Sequence, residues 1–188
     1  MENLKEKFIK NHVSTKEREP FRLDFNNQIA KYLDETETIL DLGSGLYPLM
    51  FPFDKAPKLK RYICFEKDEI VGKILLEFAK ALPKIKFEVY GQFAKKPDFK
   101  NLLENKSRFD LVLMLKFIPV IERRTPNLLK PLSKIPAQKI ILTASKEALT
   151  KRQKIEKRER KTLIRFIKST GREIVDQIEI ENEFGFVI

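Results

Sequence analysis

The chain's 188 residues, 42% hydrophobic, suit one compact domain spanning 1–188, and its 38 Lys and Arg against 27 Asp and Glu, a formal charge of +11, favour a polyanionic partner such as RNA, DNA or an anionic membrane. Cys64 and His12 are the sole residues of their types, which argues against disulfides, Cys/His zinc sites and Ser-His-Asp or Cys-His catalysis. No apolar run approaches the ~18 residues that span a bilayer, and Met1 to Lys10 is too charged for a signal peptide, so a soluble, cytoplasmic protein is expected.

In chain order, residues 1–35 read as a short N-terminal helical segment. Within it, Ser14 followed three residues later by Glu17 is a capping box. The helix it starts would hold Arg18, and a guanidinium is a natural bidentate partner for a carboxylate. A buried strand at 38–42 then runs into the turn Asp41-Leu42-Gly43-Ser44-Gly45-Leu46-Tyr47-Pro48. Without Cβ atoms at 43 and 45 the backbone can bend at the strand end and lie against a ligand. A dinucleotide loop would want a third glycine where Pro48 stands. The turn is therefore read either as the first cofactor loop of an S-adenosylmethionine (SAM) methyltransferase or as an ordinary strand-to-helix connection.

Strand 61–66 ends in Phe65-Glu66-Lys67-Asp68. Glu66 lies about 20 residues past the glycine turn, the separation at which an acid receives both ribose hydroxyls; a solvated turn acid is the alternative. Apolar spacing over Val71 to Ala81 predicts a helix, and strand 85–90 leads to Gly91 and Gln92, whose amide oxygen suits an adenine amino group. Strand 109–115 ends at Lys116, where a charge belongs at the mouth of a site rather than in the core. After strand 138–143 comes a basic run, 146–172, with eleven Lys and Arg against three acids. Between Thr150 and Lys161 only Ile155 is apolar, so this part is expected to bury no face and to be mobile or a solvated helix. Its sign imbalance points to RNA phosphates. Helical spacing returns over Leu163 to Ile167, and strands 173–180 and 183–188, separated by almost nothing, should pair as an antiparallel hairpin. The βαβ rhythm predicts an α/β, Rossmann-like, seven-stranded and mostly parallel sheet ending in that hairpin, the class I methyltransferase arrangement.

Four segments resemble a known family. His12-Val13-Ser14-Thr15-Lys16-Glu17-Arg18, Leu40 to Leu49, Leu113 to Glu122 and Ile178 to Ile188 are similar, in this order, to the HxSTxER, LDLGCGLNPL, LLLKxLPxLE and NELxYV-like motifs of the 16S ribosomal RNA guanine-N7 methyltransferases that confer aminoglycoside resistance. The resemblance implies SAM as cofactor, methylation of guanine N7, and ribosomal RNA or the small ribosomal subunit as partner; a monomer without metal is expected. By residue it implies Arg18 at the methionine carboxylate, Gly43 and Gly45 in the cofactor loop and Glu66 on the ribose. Asp41, Ser44, Lys67, Gln92 and Leu115 complete the candidate cofactor set. Lys116, Ser145 and Lys146 match residues at the mouth facing the RNA, with Lys116 the catalytic candidate, and Lys151, Arg152, Lys154 and Arg158 are further candidate RNA contacts. The chain departs from the family at Ser44 for Cys, Tyr47 for Asn, Glu66 for Asp and Thr143-Ala144 for Phe-Pro, and where the family carries an N-terminal RNA-docking region only Met1 to Asn11 precede His12 here, so that docking surface is expected to be missing or elsewhere.

The chemistry agrees with the shortage of bases. Guanine N7 carries an in-plane lone pair and loses no proton on methylation, so orientation matters more than proton abstraction. Amine methylation would call for an [NDS]PP[YFW] motif where Leu115-Lys116-Phe117-Ile118-Pro119 stands, and Cys64 sits in a strand, away from the place of a C5-attacking thiol. Two other readings stay open: a methyltransferase of another RNA position or a small molecule, and a non-catalytic RNA- or ribosome-binding protein of the same fold.

Overall fold

A computed structural model describes residues 18–91, 108–148 and 153–188. The capping box before Arg18, Gln92, Lys151 and Arg152 lie outside the described residues. Seven strands form a mixed sheet, as the alternation of apolar runs and helical segments predicts, and their order is β3-β2-β1-β4-β5-β7-β6. The chain divides at 93/94 into two compact units.

In the first unit, β1 (Thr38–Leu42), β2 (Arg61–Phe65) and β3 (Lys86–Tyr90) are parallel, with Leu40 opposite Ile63 and Ile63 opposite Glu88. β1 and β2 are buried on both faces apart from their first residues, which is why they are mainly apolar, Asp41 excepted, instead of alternating. Helix α1 (Arg22–Ala30) buries Phe25, Asn26 and Ile29, and helix α2 (Glu69–Ala79) buries Val71 and Leu75. The start of α2 is fixed by Asp68, whose carboxylate accepts the amides of Ile70 at 2.9 Å and Val71 at 3.1 Å, so the helix begins two residues before its apolar pattern does. Tyr62 stacks on Phe87 at 5.3 Å between ring centroids and meets Phe51 edge-on at 5.2 Å, an aromatic cluster that anchors the centre of this unit.

In the second unit, β4 (Phe109–Met114) and β5 (Ala137–Ser145) are parallel, while β7 (Glu183–Val187) runs antiparallel to both β5 and β6 (Asp176–Glu179). The sixth strand is shorter than the 173–180 expected. Arg172 turns back to donate to the carbonyls of Ala137 and Gln138, and the ladder begins only where Val175 donates to Val187. Two short helices, α3 (Ile118–Arg124) and α4 (Leu129–Leu132), follow β4, and α5 (Glu156–Thr170) follows β5. Gly171, at φ 70°, closes α5 in the left-handed conformation that glycine adopts without a Cβ penalty.

The start of α5 corrects the expectation that nothing between 150 and 161 is buried. Glu159 is 2% exposed and accepts hydrogen bonds from Arg123 at 3.0 Å and Arg158 at 2.6 Å. One turn on, Glu122 of α3 accepts from Thr162 and Arg165, each at 2.6 Å. The inner face of α5 is thus polar in its first two turns because α3 supplies matching charges, and apolar only from Leu163 onward. No helix among the described residues is long and apolar enough to cross a membrane.

β7 packs unusually close to β5. A Cβ at Gly185 would lie 2.5 Å from the Leu142 carbonyl and 2.7 Å from the Thr143 methyl. Gly185→Ala is therefore expected to cost about 1–3 kcal/mol, because both neighbours are fixed by the ladder. Urea unfolding of the variant measures this, and an unchanged midpoint would show that β7 can move away.

Candidate functional site

The glycine turn leaves the carboxyl end of β1. Gly43 (φ 68°) and Gly45 (φ 53°) both take left-handed conformations that a side chain would strain. The amides of Gly43 and Ser44 donate to the Phe65 carbonyl at 2.9 and 3.2 Å, which ties the turn to the end of β2. A 3-10 turn, Tyr47–Leu49, comes next instead of an α-helix, so no helix N-terminus stands over the loop to receive a pyrophosphate. That removes the dinucleotide reading.

Glu66 closes the cradle from the other side. Its carboxylate accepts the amide of Gly45 and the amide of Asp68, each at 2.9 Å. An ionised carboxylate has about four lone-pair positions, so roughly two remain for ligand hydroxyls. Asp41 forms the floor. It is fully buried; its Oδ2 accepts the Tyr62 hydroxyl at 2.9 Å, while its Oδ1 has no hydrogen-bond partner among the described residues. Burial pushes its carboxyl up to about 7, against the Tyr62 hydrogen bond and the Arg18 charge, which pull it down. A buried carboxylate oxygen without a donor is costly to keep, and a cationic donor brought to it would relieve that cost.

Arg18, predicted to hold a carboxylate, is 4% exposed, with its guanidinium 4.6 Å from the centroid of Phe25 and 5.1 Å from that of Tyr47. Cation-π contacts of this kind fix the plane of the fork. Ser44 is buried, Lys67 is exposed on the loop after Glu66, and Leu115 is buried at the end of β4. Cys64 is fully buried and its thiol is pushed well above its ordinary value, chiefly by that burial, which leaves it inert as a nucleophile.

The second unit carries its own polar cluster at the carboxyl ends of β4 and β5. Lys116 has φ 56°, the left-handed region, and is the single non-glycine residue with positive φ among those described. Its amide donates to the Thr143 carbonyl at 3.1 Å and to Thr143 Oγ1 at 3.0 Å. Its Nζ lies 3.5 Å from Glu183 Oε2, and Thr143 Oγ1 in turn donates to Glu183 Oε1. Glu183 is fully buried. A strained lysine held by three contacts at a strand end is the kind of outlier that marks function.

Ser145 stands opposite Glu183 in the ladder, and Lys146 donates to the Ile180 carbonyl at 2.6 Å and pairs with Glu179. Lys116 and Ser145 thus both lie against Glu183, and Lys146 follows at the end of β5. Lys154 is exposed near them, bridged to Glu147 through the backbone, whereas Arg158 is turned to Glu159. The sequence reading passed over Glu183, Thr143 as an acceptor, and Tyr62. The signal for Glu183 was present: an acid opening the apolar strand Phe184 to Val187 must find a partner or be excluded.

No family model matches the chain, and no curated protein does. Solved structures do. The 16S rRNA methylase ArmA is 23% identical, with a TM-score of 0.69 over 97% of this chain and 89% of that one. The 16S rRNA methyltransferase RmtF in complex with S-adenosyl-L-homocysteine is 17% identical, with a TM-score of 0.73 over 95% of this chain and 65% of that one. A SAM-dependent methyltransferase from Aquifex aeolicus is 20% identical, with a TM-score of 0.63 over 89% and 92%. The fold is that of the SAM-dependent methyltransferases.

Proposed function

We propose that the chain is a SAM-dependent RNA methyltransferase that acts on guanine N7 of ribosomal RNA. The observation that carries this reading is the cradle of Asp41, Gly43, Gly45 and Glu66, with its orphaned buried carboxylate oxygen. Asp41 Oδ1 would take the ammonium of the methionine moiety, Arg18 its carboxylate, and Glu66 the ribose hydroxyls through its remaining lone pairs. The two glycines let backbone amides lie against the ligand. The bound cofactor supplies an electrophilic methyl group on a sulfonium.

What remains for the protein is orientation of the acceptor. N7 gives up no proton, so no residue need act as a base, and positioning can supply several kcal/mol of the barrier reduction. Lys116, fixed by Thr143 and Glu183 with its side chain 14% exposed, would meet a phosphate or the target base at the end of β4, and Ser145, Lys146 and Lys154 follow at the end of β5 and beyond. Lys151 and Arg152 belong to the chain segment between them.

The test incubates the protein with methyl-labelled SAM and, separately, small subunits, large subunits and naked ribosomal RNA, then maps label by chemical strand scission at N7-methylguanine. Scission at one guanine in one sample is the expected result. Label without scission would move the reaction to another atom, and RNA affinity without SAM binding would make the protein an RNA-binding member of the fold.

A further inference from the structure

The outer face of α5 carries a charge that the fold does not neutralise. Lys157, Arg160, Lys161, Ile164, Arg165 and Lys168 line a shallow, open cleft of about 490 Å³ along this helix. The arginines of α5 are occupied: Arg158 pairs with Glu159 at 2.6 Å, Arg160 with Glu156 at 2.9 Å, and Arg165 with Glu122 at 2.6 Å. No described acid pairs with Lys157, Lys161 or Lys168, and all three are exposed. They recur at helical spacing over twelve residues, a row about 16 Å long.

From this we infer that the outer face of α5 docks the phosphate backbone of a double-helical RNA segment, which rests on the RNA-substrate reading above and specifies the kind of RNA. The chemistry narrows the partner. The apolar residues of α5, Leu163, Phe166 and Ile167, are buried inward, so the outward face has only Ile164 to offer a lipid surface, where an interfacial helix needs a broad apolar face. No aromatic side chain lines the cleft, so it lacks the stacking platform that single-stranded nucleic acid uses and the anchor that a protein partner uses. A row of flexible ammonium groups on a rigid helix meets phosphates as point charges and reads no sequence. Duplex RNA is recognised in that way, through its shape and backbone.

The experiment measures binding of the full chain to a duplex RNA of about 16 base pairs, to one of its single strands, and to anionic phospholipid vesicles, between about 50 and 200 mM salt. For the variant Lys157→Gln/Lys161→Gln/Lys168→Gln, duplex affinity should fall at least tenfold and the slope of log affinity against log salt should lose about 3. SAM affinity and the thermal melt should match the parent chain. If the triple variant does not fold, Lys161→Gln alone should lower the slope by about 1.

Unchanged affinity and slope in a folded variant would overturn the proposal. So would losses confined to the single strand or to the vesicles. The enzyme reading fails separately: duplex docking that depends on these lysines, with no label transferred to any RNA, would leave the docking face standing without the reaction.

Discussion

Asp41→Asn is expected to stabilise the ligand-free protein at pH 8 and to weaken SAM binding. Folding moves this carboxyl from 3.8 to about 7, chiefly through burial. The folded state therefore binds the proton more tightly than the unfolded state does. The stability contribution is fully present below about pH 4, declines as pH rises towards 7, and is gone above that. At about 1.4 kcal/mol for each factor of ten in proton affinity, the ionised folded protein stands about 4 kcal/mol below its protonated stability. Asparagine removes that cost but leaves an amide where Oδ1 has no partner, which returns about 1–3 kcal/mol of it. A net gain of about 1–3 kcal/mol remains, and each kcal/mol should raise the melting temperature by about 2–4 °C.

The same substitution removes a charge-assisted contact to the ligand ammonium, worth about 1.5–3 kcal/mol, so SAM affinity should drop by about 10- to 100-fold. Thermal melts from pH 4 to 8 and calorimetric titration measure both effects. A variant that keeps the parent's pH profile would show that Asp41 is not the titrating group. One that binds SAM normally would remove Asp41 from the cofactor site.

Glu183→Ala should be the most damaging single change in the second unit. The carboxylate is fully buried, receives the Thr143 hydroxyl and faces Lys116 Nζ at 3.5 Å, and the Lys116 side chain is itself only 14% exposed. Removing it strands an ammonium with little access to water and leaves Thr143 without its acceptor, a loss of about 3–5 kcal/mol. Glu183→Gln keeps the length and one acceptor oxygen and should cost less. Replacing both charges, as in Glu183→Leu/Lys116→Met, should recover most of the stability, because desolvation is then no longer opposed by an unpaired charge.

Methyl transfer should not return with stability in the double variant, and that separates a role for Lys116 at the RNA from a purely structural one. SAM affinity is expected to stay near the parent value throughout, since neither Lys116 nor Glu183 is among the groups proposed to hold the cofactor, Arg18, Asp41, Gly43, Gly45 and Glu66. If Glu183→Ala unfolds at the same urea concentration as the parent, the buried pair is not holding the end of β4.

The parts of this protein legible in its sequence are those set by local chemistry. Short, largely apolar runs such as Tyr62 to Phe65, and Ile39 to Leu42 with Asp41 its one polar residue, read as strands buried on both faces, and Gly43 and Gly45 can take positive φ where other residues are strained. The seven-stranded, mostly parallel sheet and its terminal hairpin followed from these, whereas the strand order did not. That Glu66 ties down the glycine turn could not be read from spacing, because its hydrogen bond to Gly45 crosses 21 residues of chain. The burial of Glu159 depended on Arg123, 36 residues away, and the hold on Lys116 depended on Glu183, brought there by a strand that pairs antiparallel to β5. A charge can be buried only if its partner arrives with it, and that partner is chosen by how strands and helices pack, not by the residues beside it in the chain.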